Sequence, residues 1–137
     1  MILDTARELQ DYVITLRRDL HSRPELSGKE FETQKRLMAE LDQAGIPYTK
    51  MGTTSIVATI NKGKKPVVAL RADIDALPIL EQSGVDFASE NEGVMHACGH
   101  DAHSAMLMGA ARILQGMKND VQGEVRLLFQ EDRKSVV

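Results

Sequence analysis

The sequence has little of several things. A single cysteine excludes an internal disulfide framework. There is no excess of positive charge. With 17 Lys and Arg against 20 Asp and Glu, the formal net charge is −3, which gives no basic footprint for nucleic acid and no polybasic membrane patch. No apolar run approaches the roughly 20 residues needed to span a bilayer, and no charged-then-apolar leader opens the chain. Internal repeats and low-complexity tracts are also missing. No nucleic-acid or membrane partner is therefore expected, and cytoplasmic residence is the default expectation. The 137 residues suffice for one domain with a real core.

What is present is concentrated in one stretch, Val94-Met95-His96-Ala97-Cys98-Gly99-His100-Asp101-Ala102-His103. Between positions 96 and 103 it holds three of the four histidines and the only cysteine, beside an aspartate. Its second half runs straight into an apolar helical pattern. Soft and borderline ligands crowded at a loop-to-helix junction suit a divalent transition metal. Gly99 allows a sharp backbone turn between Cys98 and His100, so both side chains could reach one ion. A closed structural zinc site commonly uses paired cysteines, and no second cysteine exists, so an open, catalytic site is the better fit.

Elsewhere the hydrophobic period supplies the elements. Leu9, Val13, Leu16 and Leu20 recur at helical spacing within residues 4–21, with Thr5-x-x-Glu8 as a candidate capping box. Arg17 and Arg18 fall near the helix end, where positive charge suits the dipole, and Pro24 forces an exit. His21 at that end reads as a capping or surface histidine. A second helix is expected from Ser27, with Ser27-x-x-Glu30 as its capping box, Phe31, Leu37, Met38 and Leu41 as its apolar face, and Gly45 closing it.

Strands are expected over 46–51 and 55–60, followed by a lysine-rich turn at 61–65. Val67-Val68-Ala69-Leu70 is a continuous apolar run, the mark of a strand buried on both faces. It leads into Arg71, Asp73, Asp75 and Pro78. In open α/β sheets ligands gather at the carboxyl ends of strands. Asp73 could bind metal directly, or either aspartate could orient a ligating imidazole. Residues 80–92 read as a polar loop, 102–117 as a buried helix and 123–129 as a further strand. Helices and strands interleave as α/β, with part of the sheet parallel.

Four stretches carry a resemblance. They are Arg17-Arg18-Asp19-Leu20-His21-Ser22-Arg23-Pro24-Glu25-Leu26-Ser27, Leu70-Arg71-Ala72-Asp73-Ile74-Asp75-Ala76-Leu77-Pro78-Ile79, Met95 to His103, and Gly123-Glu124-Val125-Arg126-Leu127-Leu128-Phe129-Gln130. Together they resemble the N-terminal part of M20-type metal-dependent amidohydrolases. That branch holds hippurate hydrolases, N-acyl-amino-acid deacetylases and auxin-conjugate (IAA-amino acid) hydrolases. The resemblance implies a zinc-peptidase-like catalytic domain with a mixed, partly parallel sheet flanked by helices. It also implies two divalent metal ions, drawn from zinc, manganese, cobalt and nickel, with Cys98 and His100 as ligands. Asp75 matches the aspartate given as catalytic support, with Asp73 close by. The implied reaction is metal-assisted hydrolysis of the amide bond of an N-acyl amino acid or short peptide, in a parent enzyme that is a homodimer.

The pattern departs after Gln130. Family members continue Pro-Ala-Glu-Glu, with the first glutamate as general base and the second as metal ligand. Here Glu131 and Asp132 stand where Pro and Ala belong, so the catalytic role is not transferred to them. Residues 132–137, Asp-Arg-Lys-Ser-Val-Val, match what a widely used sequencing adapter encodes in one frame. The expected division is therefore 1–130 as a portion of the catalytic domain, lacking the lid or dimerisation domain, and 131–137 as a non-native tail. An inactive hydrolase fragment is the first reading of the chain as written. A short protein that binds metal through Cys98 and His100 without catalysis is the alternative, and a thiol hydrolase using Cys98 a third. In isolation the final strand, 123–129, is expected to sit in a sheet lacking its later neighbours, whose unpaired edges favour aggregation.

Overall fold

Two periods in the sequence become two layers in the structure, a computed structural model that describes residues 1–131. The helical layer begins with α1 (Ile2–Glu8) and α2 (Gln10–Ser22), which meet at Leu9. The single helix expected over 4–21 is thus interrupted by one residue. Thr5 caps nothing at its own position, because the helix already starts at Ile2 and the Thr5 hydroxyl donates to the Met1 carbonyl one turn back. Leu16 and Leu20 are buried, as their spacing requires.

The second expected helix starts later than its capping box proposed. Helix α3 runs Phe31–Ala44. Glu30 does not reach back to cap Ser27; its fully buried carboxylate accepts from the Gly28 N–H and from the Thr54 hydroxyl. The orphan amides of the first turn are taken instead by Glu25, which accepts from the Glu32 and Thr33 N–H groups and the Thr33 hydroxyl. Gly45 closes the helix in the left-handed region at φ 68°, a conformation that glycine adopts without steric cost.

The sheet contains β1 (Tyr48–Met51), β2 (Ser55–Ile60), β3 (Val67–Asp73) and β4 (Glu124–Gln130), in the order β1-β2-β4-β3. The pairs β1–β2 and β2–β4 are antiparallel and β3–β4 is parallel, so the sheet is mixed. Helix α4 (His100–Gly116) makes the crossover between the two parallel strands. Ile56, Ala58 and Ile60 of β2 and Val125, Leu127 and Phe129 of β4 point to one face, where they pack with Leu37 and Leu41 of α3 and Ala105, Met108 and Ala111 of α4. Among the described residues no helix is long and apolar enough to cross a membrane.

One strand expectation changes. The run at Val67–Leu70 is not buried on both faces: Val67, Val68 and Leu70 are 47%, 52% and 37% exposed. Strand β3 is an edge strand paired only to β4, and the helical layer covers it mainly near its carboxyl end, where Ala72 is buried. The 123–129 segment forms the expected strand. It becomes β4, hydrogen-bonded on both sides, with Phe129 fully buried. Among the described residues the edges of the sheet are β1 and β3.

Candidate metal centre

The carboxyl end of β3 and the amino end of α4 meet, and the chemistry-bearing residues meet with them. Ser104 of α4 donates its hydroxyl to the Asp73 carbonyl, pinning the helix to the strand end. From there Asp75, which is buried, reaches His100 at the first position of α4. The His100 Nδ1 lies 2.9 Å from both the backbone carbonyl and the Oδ1 of Asp75. Two acceptors at Nδ1 fix the proton there and leave the Nε2 lone pair for another partner. That Nε2 is 3.9 Å from Asp73 Oδ2, and Asp73 Oδ1 in turn accepts from Arg71 Nε and a terminal guanidinium nitrogen at 3.0 and 2.8 Å.

Cys98 stands two residues before His100, exposed, as a free thiol. Between them Gly99 has φ 106°, so the turn that brings the two side chains to the same junction uses a conformation strained for any other residue. The structure therefore joins Asp73, Asp75 and His100 directly and places Cys98 at the rim. His103 is exposed, its ring 6.3 Å from that of His100. Among the described residues, no three His, Cys, Asp or Glu side chains form a ready-made cage for an ion. Even so, the donor set of thiol, imidazole and carboxylate fits a borderline divalent cation, and the pinned imidazole is the orientation such an ion requires.

His96 behaves differently from its neighbours in the motif. It is 5% exposed, and neither ring nitrogen has a partner. Burial, followed by the nearby positive charges of His21, His100 and Arg17, pushes its pKa down to about 4 against the opposing pull of Asp101. At neutral pH it is a neutral ring.

His21 is not a surface histidine. It is 3% exposed, with Nδ1 facing Asp101 Oδ2 at 2.8 Å and Nε2 facing both Glu81 oxygens at 3.0 Å. Asp101 Oδ2 also accepts from Arg17 Nε at 2.8 Å. Burial alone would raise the Glu81 pKa. Hydrogen bonds from Ser83, His21 and the Ser89 N–H outweigh it and hold the carboxyl at about 2. Arg17, His21, Glu81 and Asp101, with Phe87 and Cys98, line a cavity of about 420 Å³ beside the candidate centre. Sequence reasoning missed Asp101 and Glu81. An acidic residue on the buried side of an apolar helix was the available signal for Asp101, whereas Glu81 lies in a loop without periodicity.

Glu131 is described and Asp132 lies outside the described residues. The Glu131 carboxylate accepts from the Thr53 and Thr54 N–H groups and the Thr54 hydroxyl, so it serves the turn between β1 and β2.

The family model described as peptidase family M20/M25/M40 matches residues 69–132. A thermostable carboxypeptidase 2 of Saccharolobus solfataricus is 47% identical over 90% of this chain and 32% of its own length. An N-acyl-L-amino acid amidohydrolase of Geobacillus stearothermophilus is also 47% identical, over 90% of this chain and 34% of its own. Among solved structures, a dinuclear metal binding peptidase of the M20 family from Bacillus subtilis superposes with a TM-score of 0.88. It is 41% identical, and the match covers 93% of this chain and 37% of that one. The chain thus spans about a third of the length of the relatives it matches. Family model, relatives and three-dimensional similarity coincide on the segment bearing Asp73, Asp75, Cys98 and His100, and over that segment the chain is similar to peptidase family M20/M25/M40.

Proposed function

We propose that the whole protein hydrolyses the amide bond of N-acyl amino acids or short peptides, using two divalent ions, and that this chain supplies Cys98 and His100 as ligands. The observation that carries this reading is the grip of Asp75 on His100 Nδ1, which presents Nε2 toward Asp73. The solved Bacillus subtilis relative, described as dinuclear and metal binding, supports the choice of cofactor. The amidohydrolase relative supports the substrate class. When bound, a divalent ion supplies polarisation of the acyl carbonyl and a more acidic water.

The chain's own residues then have defined tasks. Asp75 orients His100 and raises its basicity as a ligand. Asp73, neutralised on one side by Arg71, places negative charge beside the imidazole. Cys98 offers a thiolate. Because imidazole and thiol must both lose a proton to bind, metal affinity falls as pH falls. Residues 131–137 are proposed as a non-native tail that stands in place of the segment carrying the general base. Cytoplasmic residence and a homodimer complete the proposal for the whole protein.

Resequencing the source DNA across codon 130 and expressing the resulting frame tests this reading. Hydrolysis of N-acetyl amino acids that is lost on chelation and restored by zinc, manganese, cobalt or nickel is expected. Hydrolysis that survives chelation in the native enzyme and disappears in Cys98→Ser would favour a thiol mechanism instead.

A further inference from the structure

We infer that His21 is a positioning residue for the Cys98–Gly99–His100 turn, acting as a bridge between the 81–89 loop and the first turn of α4. This inference rests on the metal-ligand reading of Cys98 and His100.

Helix α4 begins without any side-chain cap, at a glycine with φ 106°, and the hydrogen bond that closes its first turn runs from the His103 N–H to the Gly99 carbonyl. Asp101, next to His100, is the acidic residue of that turn, yet its carboxylate does not cap the helix. It is 1% exposed and points to α2, where Arg17 Nε and His21 Nδ1 both meet the same oxygen at 2.8 Å. Asp101 thus ties the His100 end of α4 to the far helix, beside the Asp75 and Ser104 contacts on the strand side.

His21 carries that anchor onward. Its Nε2 meets the Glu81 carboxylate, which also accepts from the Ser89 N–H at 2.8 Å and from the Ser83 hydroxyl. One ring thus joins α4, α2 and the loop that walls the cavity beside Cys98. Phe87 of the same loop packs its ring edge-on at 5.4 Å from His21 and lies under the Arg17 and Arg18 guanidinium groups. A ring with two nitrogens meets partners in two opposed directions from one rigid side chain of that size. Without His21, Asp101 and Glu81 each lose a donor inside a buried site, and the least costly response is to move toward water. For Asp101 that movement carries His100 and Gly99 with it.

The experiment compares the full 137-residue chain with His21→Gln, which can donate from one end only, and with Leu41→Ala, a core truncation in α3 that lowers stability away from the turn. Two readouts are used: cobalt(II) titration followed by the thiolate-to-cobalt absorption band, and amide hydrogen exchange at His103. His21→Gln is expected to weaken cobalt binding about tenfold or more. It is also expected to speed exchange at His103 well beyond the change in Leu41→Ala. Equal effects of the two variants on both readouts would overturn the inference, because His21 would then act through stability alone. If the native chain shows no thiolate-to-cobalt band, the metal reading of Cys98 fails, while the His103 exchange comparison still decides the bridge.

Discussion

His100 is held by Asp75 from two directions at once, backbone carbonyl and carboxylate each 2.9 Å from Nδ1. The carbonyl alone would fix the tautomer. The carboxylate adds charge that strengthens the donor bond and makes Nε2 a better ligand. Asp75→Ala should therefore weaken zinc binding by the chain about 10–100-fold, measured by competition with a chromophoric chelator. Asp75→Asn retains the carbonyl and an acceptor oxygen, and is expected to lose less. Zinc binding by Asp75→Asn as tight as that of the native chain would mean that the charge of Asp75 has no part.

His96 gives a pH signature. Its pKa lies near 4 in the folded chain against 6.5 for the free side chain, so below 6.5 the unfolded chain binds more protons than the folded one. Stability of the metal-free chain contributed by this group is complete above pH 6.5 and declines as pH falls toward about 4. Urea unfolding between pH 7 and 5 should show this decline in the native chain and a flatter profile in His96→Leu. Parallel profiles would contradict the assignment.

Glu81 extends the acid limb lower. Its carboxyl, held at about 2 against a usual 4.5, contributes stability present above pH 4.5 and lost as pH falls from there toward 2. Glu81→Gln should remove that lower limb in an acid titration followed by circular dichroism, and leave the His96 region between pH 7 and 5 in place.

The β3 edge of the sheet is an aggregation hazard. Val67 and Val68 are about half exposed on β3, whose outer edge has no strand beside it among the described residues. Val68→Lys should raise the concentration at which the chain stays monodisperse in light scattering. The corresponding change in the sheet centre, Phe129→Ala, removes a fully buried ring and should cost about 3–5 kcal/mol in urea unfolding.

Much of this was legible in the chain. The 3.6-residue and two-residue periods placed Leu16 and Leu20 in α2, Leu37 and Leu41 in α3, and Val125, Leu127 and Phe129 in β4, all of them buried. The Gly45 stop was readable because a left-handed residue after an apolar helix has few alternatives to glycine. Capping was less legible. Ser27-x-x-Glu30 satisfies the local pattern, but Glu30 found a tertiary partner in Thr54, and Glu25 took its place from outside the helix. The exposure of Val67 and Val68 was hidden for another reason, since an apolar run reports what a strand is built to face and not what covers it. His21 illustrates the same limit at the site: its partners Glu81 and Asp101 are 60 and 80 residues away in sequence, and no spacing rule reaches that far.

The most direct test of the central claim is the zinc X-ray absorption spectrum of the metal-loaded chain. The expected coordination shell contains sulfur at about 2.3 Å together with nitrogen or oxygen near 2.0–2.1 Å. The sulfur contribution should vanish in Cys98→Ser, and the imidazole contribution should diminish in His100→Ala. A shell of nitrogen and oxygen alone in the native chain, unchanged in both variants, would contradict the assignment of Cys98 and His100 as the metal-binding pair.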